Sequence, residues 1–244
     1  MNKLKKSGIL ILLVLLVSYT VFALFKFSHN DENQVCRRVL ITVKDSEQFN
    51  FVDTTEVHAV LVKNRVKLRG QKLSTINTKR VENLLEQNAA IRKVVCYKTA
   101  SGDIGIDVWQ REPLFRVLGK QNYFVDMEGK TIPASPNFVI PVAVVTGNVN
   151  KNFACGKLRE FVLFLHENDF WNAQIVQIDV QSENEIVLIP RIGNHEIEFG
   201  NLDNYQQKLA KLKTFYLEGL NKIGWGDFSK ISLKYKDQVI GTKK

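Results

Sequence analysis

Cysteine, histidine and proline are scarce in this chain: three, four and five among 244 residues. Cys36, Cys96 and Cys155 are an odd number without a CxxC pair, which excludes a disulfide framework and a zinc knuckle. One disulfide is open to them in an oxidising compartment, and buried free thiols are the plainer reading. His29, His58, His166 and His195 include no HExxH motif and no second ligand at metal spacing. A GxSxG elbow, a P-loop and a dinucleotide fingerprint are also missing. Cys155 and His166 lie eleven residues apart with nothing to make them nucleophile and base. Glu196 and Glu198 share one face of a strand, where exposed alternating charges on an edge strand account for them. The expectation is therefore no catalytic residue, no metal, no cofactor and no small-molecule substrate.

The net charge of +9 at first suggests a nucleic-acid partner. Residues 1–26 supply four lysines and no acid, which leaves 30 basic against 25 acidic residues, or +5, for the rest. That excess is spread out, with short clusters only at 63–69 and at Lys243 and Lys244. A mildly basic solvated surface explains it, and no nucleic acid is expected.

What the sequence does contain is one long uncharged run. Lys6 and Lys26 bracket nineteen residues, 7–25, thirteen of which are Ile, Leu, Val or Phe. As a helix this segment measures about 28 Å, close to the hydrocarbon thickness of a bilayer. Its insertion is favoured by several kcal/mol, at about 0.3–0.6 kcal/mol per apolar residue. Ser18, Tyr19 and Thr20 are consecutive, so they form no polar helix face. Lys3, Lys5 and Lys6 precede the span and Asp31 and Glu32 follow it, which predicts a cytoplasmic N-terminus and a translocated C-terminal bulk. The competing reading is a signal peptide cleaved near Val21-Phe22-Ala23. The length of the apolar run, continued by Leu24 and Phe25, favours retention.

The remaining 218 residues suffice for one large or two modest domains. Residues 39–43 read as a strand. A helix follows over 53–63, with Asp53, Thr54 and Thr55 as cap candidates, and a second over 78–87 behind Asn77. Strands at 92–97 and 104–108 flank a Ser101-Gly102 turn, giving the order β-α-α-β-β. Beyond Pro113 a strand at 123–125 leads into the Asp126-Met127-Glu128-Gly129 turn. Strands at 142–145, 175–180, 185–189, 195–199 and 231–240 and helices at 157–168 and 204–220 complete an α+β reading. The expected division is a cytoplasmic tail 1–6, a transmembrane helix 7–25, a linker 26–36, and domains 37–113 and 114–244.

Three motifs in this order resemble the bacterial division proteins of the FtsQ/DivIB family. A basic tail and single span lead into the β-α-α-β-β unit, which looks like a POTRA domain. Val108-Trp109-Gln110-Arg111-Glu112-Pro113-Leu114-Phe115-Arg116-Val117 followed by Tyr123-Phe124-Val125-Asp126-Met127-Glu128-Gly129 is similar to the family's junction between POTRA and β domains. Ile231-Ser232-Leu233-Lys234-Tyr235 resembles its C-terminal strand, with Ser232 in place of the usual aspartate and Lys234 in place of arginine. The resemblance implies a non-enzymatic, single-pass scaffold of the divisome in the cell inner membrane at the division septum. Its bulk would be extracytoplasmic and would bind the FtsB/FtsL coiled-coil pair. It further implies a C-terminal edge strand as the docking surface, formed by Tyr235, Lys236, Asp237, Gln238, Val239 and Ile240. Leu233 is expected to close the sheet, whereas Tyr235 fits sheet closure and an interface equally. The POTRA-like unit would have a partner of its own, through 39–43 or 53–63, or serve as a spacer. An envelope enzyme and a POTRA-type translocation factor are the alternatives in other functional classes.

Overall fold

A computed structural model describes residues 12–23, 34–134 and 140–244 of the chain. The expected tail 1–6, the ends of the expected span and most of the linker 26–36 lie outside the described residues. Residues 12–23 are helical and largely exposed, a length of about 18 Å. Among the described residues no helix is long and apolar enough to cross a membrane. The rest divides into two compact units.

The first unit takes in the described chain up to Lys44, together with Val52–Asn88 and Lys93–Trp109. Its elements are β1 (Val39–Val43), α1 (Thr54–Lys63), a 3-10 turn at Leu73–Thr75, α2 (Thr78–Leu85), β2 (Ile91–Lys98) and β3 (Ile104–Gln110). Both helix starts follow from their caps. Asp53 accepts from the Glu56 amide at 2.7 Å, and Asn77 accepts from the Arg80 amide at 3.0 Å. Each such cap stabilises by about 1 kcal/mol. Val57 and Leu61 of α1 and Val81 and Leu85 of α2 are buried with Ile104, Ile106 and Val108 of β3. That alternation puts β3 in the middle, and the sheet order is β1-β3-β2 with β1 parallel to β3. Gly102, at φ +86°, makes the β2–β3 turn.

The second unit comprises Asp45–Phe51, Ala89–Arg92 and Gln110–Lys244. Its strands are β4 (Pro113–Val117), β5 (Tyr123–Asp126), β6 (Thr131–Pro133), β7 (Ala143–Gly147), β8 (Ile175–Ser182), β9 (Glu185–Pro190), β10 (Glu196–Gly200), β11 (Phe228–Ser232) and β12 (Ile240–Lys243). They form one nine-stranded sheet in the order β12-β11-β10-β9-β8-β7-β4-β5-β6. Parallel neighbours need crossovers: helices lie in those between β7 and β8 and between β10 and β11, whereas β5 and β6 lie between the parallel pair β4 and β7. Between β7 and β8 run α3 (Arg159–His166) and α4 (Asp169–Gln174); between β10 and β11 runs α5 (Tyr205–Thr214). Phe161 of α3 packs against Phe199 and Tyr205, with ring centroids 5.1 and 5.5 Å away, and Leu158, Leu212 and Tyr216 are fully buried beside them.

Three expectations need correction. The helix expected over 157–168 begins earlier, at Lys151, because Asn150 caps it through the Phe153 amide at 2.8 Å; a π-type turn at Ala154–Leu158 then joins it to α3. The helix expected to Leu220 is α-helical only to Thr214 and continues as a π-type turn, Phe215–Leu220. The single strand expected over 231–240 is two strands, β11 and β12, because the polar run Lys236-Asp237-Gln238 makes a turn between them.

Candidate partner-binding edge

Glu196 and Glu198 do not lie on an edge strand as expected, since β10 runs between β9 and β11. Their charges are met by Lys230 of the parallel neighbour, at 4.0 and 3.4 Å. Among the described residues no cluster of His, Cys, Asp and Glu could hold a metal ion. Cys36, Cys96 and Cys155 are free thiols. Burial pushes each of them up from its ordinary value, Cys96 to about 11, and for Cys155 the field of Asp126 adds to that burial. They remain thiols rather than thiolates at neutral pH. His166 is exposed. His195 is buried and shares a 2.8 Å hydrogen bond with the Tyr216 hydroxyl.

The free margins of the large sheet are β6 and β12. β6 has three residues and ends on Pro133, which has no N–H to offer a further strand. β12 contains no proline and, among the described residues, pairs only with β11, Ser232 opposite Ile240 and Ile231 opposite Gly241. Its outer margin carries backbone groups of the kind that accept a strand from another chain.

The residues beside this margin divide sharply. Leu233 is fully buried, and its amide donates to the Glu198 carbonyl at 2.9 Å, so it closes the sheet. Tyr235 is 57% exposed. Lys211 of α5 donates to the Tyr235 and Lys236 carbonyls and ties the turn to the helix. Lys236, Asp237 and Gln238 are exposed in that turn, Val239 leans against the core, and Ile240 is 41% exposed at the start of β12. Lys234 makes an ion pair with Glu185.

Of the six expected edge residues only Ile240 therefore lies in a strand, and the strand itself extends over Gly241, Thr242 and Lys243. The reading of the sequence missed these three. The signal for Gly241 is tertiary: a Cβ there would lie 2.5 Å from the Phe228 ring, so the ring rests on bare backbone. The signal for Lys211 is equally invisible in one dimension, because its partners lie more than twenty residues away.

The junction motif resolves into a support for this unit. The Gln110 side chain accepts from the Phe51 amide at 2.7 Å and donates to Asp45 and to the Phe49 carbonyl, so it holds the 45–51 segment. Arg111 contacts Asp126 and Glu128, and Asp126 receives the amides of Glu128 and Lys130 around the expected turn.

Residues 34–109 match the family model of a POTRA-like domain. Residues 112–242 match the model described as FtsQ/DivIB, C-terminal related. No curated protein matches the sequence. The second match covers more than half of the chain and contains the whole candidate edge up to Thr242, and with a POTRA-like unit before it the chain belongs to the FtsQ/DivIB family of cell division proteins.

Proposed function

We propose that the protein is a single-pass membrane scaffold of the divisome. In this reading it links early and late division proteins at the septum through extracytoplasmic contacts and catalyses nothing itself. The apolar run 7–25 is its anchor in the cytoplasmic membrane, and the lysines before it hold the N-terminus inside. The partner is an FtsB/FtsL-like coiled-coil pair, one chain of which adds a strand to β12 and covers Tyr235.

The observation that carries this reading is the unpartnered margin of β12 beside an exposed tyrosine, within a domain of a cell division family. A sheet margin gives affinity through its backbone, and an exposed aromatic ring that a partner covers gives an anchor. Depletion in cells should give filaments, and normal division on depletion would overturn the scaffold. A Tyr235→Asp/Ile240→Glu variant should fold, because both side chains are exposed, yet lose co-purification with the coiled-coil pair. Undiminished co-purification would overturn the edge assignment.

A further inference from the structure

In the small unit, residues 34–36 run antiparallel to 70–73. The Cys36 amide donates to the Gln71 carbonyl at 2.8 Å, the Gly70 amide to the Cys36 carbonyl at 2.9 Å, and the Leu73 amide to the Gln34 carbonyl at 2.8 Å. At Gly70, with φ +85°, the two chains part, and among the described residues β1 continues without a strand on that side. The Ile104 amide donates to the Arg38 carbonyl and the Lys44 amide to the Val108 carbonyl. A parallel ladder alternates, so Arg38, Leu40, Thr42 and Lys44 face β3, while Val39 and Ile41 direct their N–H and C=O outward.

That margin opens on a groove of about 600 Å³ between β1 and α1. Its wall is apolar, with Leu61 at the base, Val62 60% exposed and Leu40 47% exposed. Its rim is basic: Arg38 is already paired with Asp103 at 2.8 Å, and Lys67 and Arg69 stand beside it with no acid among the described lining residues. The opposite margin of the same sheet is different: Glu86 accepts from the Val94 amide and Glu82 from the Cys96 amide, so α2 occupies the β2 edge. Among the described residues one margin is guarded by carboxylates, and the other carries no strand and has Lys67 and Arg69 beside it.

We propose that the β1 edge and its groove bind an extended peptide segment that alternates apolar and carboxylate side chains. The segment would add to β1 at about 4.8 Å, taking up the line that residues 70–73 leave at Gly70. Its apolar side chains would meet Leu61 and Val62, and its carboxylates would reach Lys67 and Arg69 in place of the acids that the groove lacks. The proposal is independent of β12 and stands whether or not the C-terminal edge binds anything.

The test uses the full chain in detergent micelles with a capped seven-residue peptide of alternating valine and glutamate as probe. Amide hydrogen exchange should slow at Val39 and Ile41 and stay unchanged at Val94 and Cys96. Lys67→Glu/Arg69→Glu and, separately, Val62→Asp should weaken binding about ten-fold or more, with exchange at Ile106 unaltered as evidence of an intact fold. The proposal falls if the glutamate probe does not bind, if a valine–lysine peptide binds equally well, or if the variants bind like the parent chain. It also falls if the two amides become protected without peptide as protein concentration rises, or only with phosphatidylglycerol vesicles, since a second copy or a lipid surface would then be the occupant.

Discussion

The Arg111 guanidinium lies 2.9 Å from the Asp126 carboxylate, fifteen residues away, and the aspartate side chain is only 2% exposed. This pair fixes the start of β4 against the end of β5, where Pro113 stands opposite Asp126. Asp126 also receives two backbone amides of the turn that follows, so its charge is fully engaged. Removing the arginine alone leaves a buried carboxylate short of its cation. Arg111→Ala should cost about 3 kcal/mol of stability, measured by chemical denaturation of the full chain in micelles. A loss below about 1 kcal/mol would mean that solvent replaces the guanidinium.

Gly241 lies under the Phe228 ring, where an added Cβ would meet a ring carbon at 2.5 Å. Gly241→Val should displace the ring or the strand and release the β11–β12 hairpin. Faster amide exchange in β12, with the exchange of Ile178 and Leu188 unchanged, is the expected signature. Under the proposed function, co-purification of the coiled-coil partner should fall with it.

His195 predicts a pH dependence whose sign is fixed by its surroundings. Burial, and to a smaller extent the charge of Lys244, hold its protonation below the ordinary value of 6.5. The folded protein therefore takes up this proton less readily than the unfolded chain. The contribution is fully present above about pH 6.5 and is lost as pH falls from there through the lower folded-state value, at up to about 1.4 kcal/mol per pH unit. Urea midpoints between pH 7.5 and 5 should decline, and His195→Gln should flatten that decline. An unchanged slope in the variant would assign the effect to other groups.

Glu82 and Glu86 should matter for solubility more than for the core. With Glu82→Ala/Glu86→Ala the Val94 and Cys96 amides lose their acceptors and the β2 margin is open to a second chain. Light scattering should show concentration-dependent association that the parent chain lacks.

The thiols give a fifth readout, in native conditions. With Cys96 pushed up to about 11, only about 0.1% of it is thiolate at pH 8, and its burial blocks access as well. Iodoacetamide should label Cys96 at the rate of unfolding and much faster in urea. Fast native labelling would contradict the burial.

Local signals carried much of this fold. The caps at Asp53 and Asn77, the period-two run through Ile104, Ile106 and Val108, and the turn at Asp126–Gly129 are all short-range chemistry, and each expected element formed. Long-range order was hidden. Nothing between Ile231 and Ile240 announces that β11 lies parallel to β10 and doubles back into β12, because the apolar alternation Leu233, Tyr235, Val239 reads through the turn. The same ambiguity made Glu196 and Glu198 look like edge charges, although their relief comes from Lys230 on a strand some thirty residues later. The buried His195–Tyr216 pair joins two elements twenty-one residues apart and leaves no pattern at either.

The position of β12 in the sheet also sets an order of events. β12 rests on β11, and β11 rests in parallel on β10 across a long crossover, so the β12 margin forms only once that non-local, slow pairing has closed. An incompletely folded large unit has no such margin to display. Under the proposed function, a partner that reads this margin would engage only copies whose large unit has finished folding.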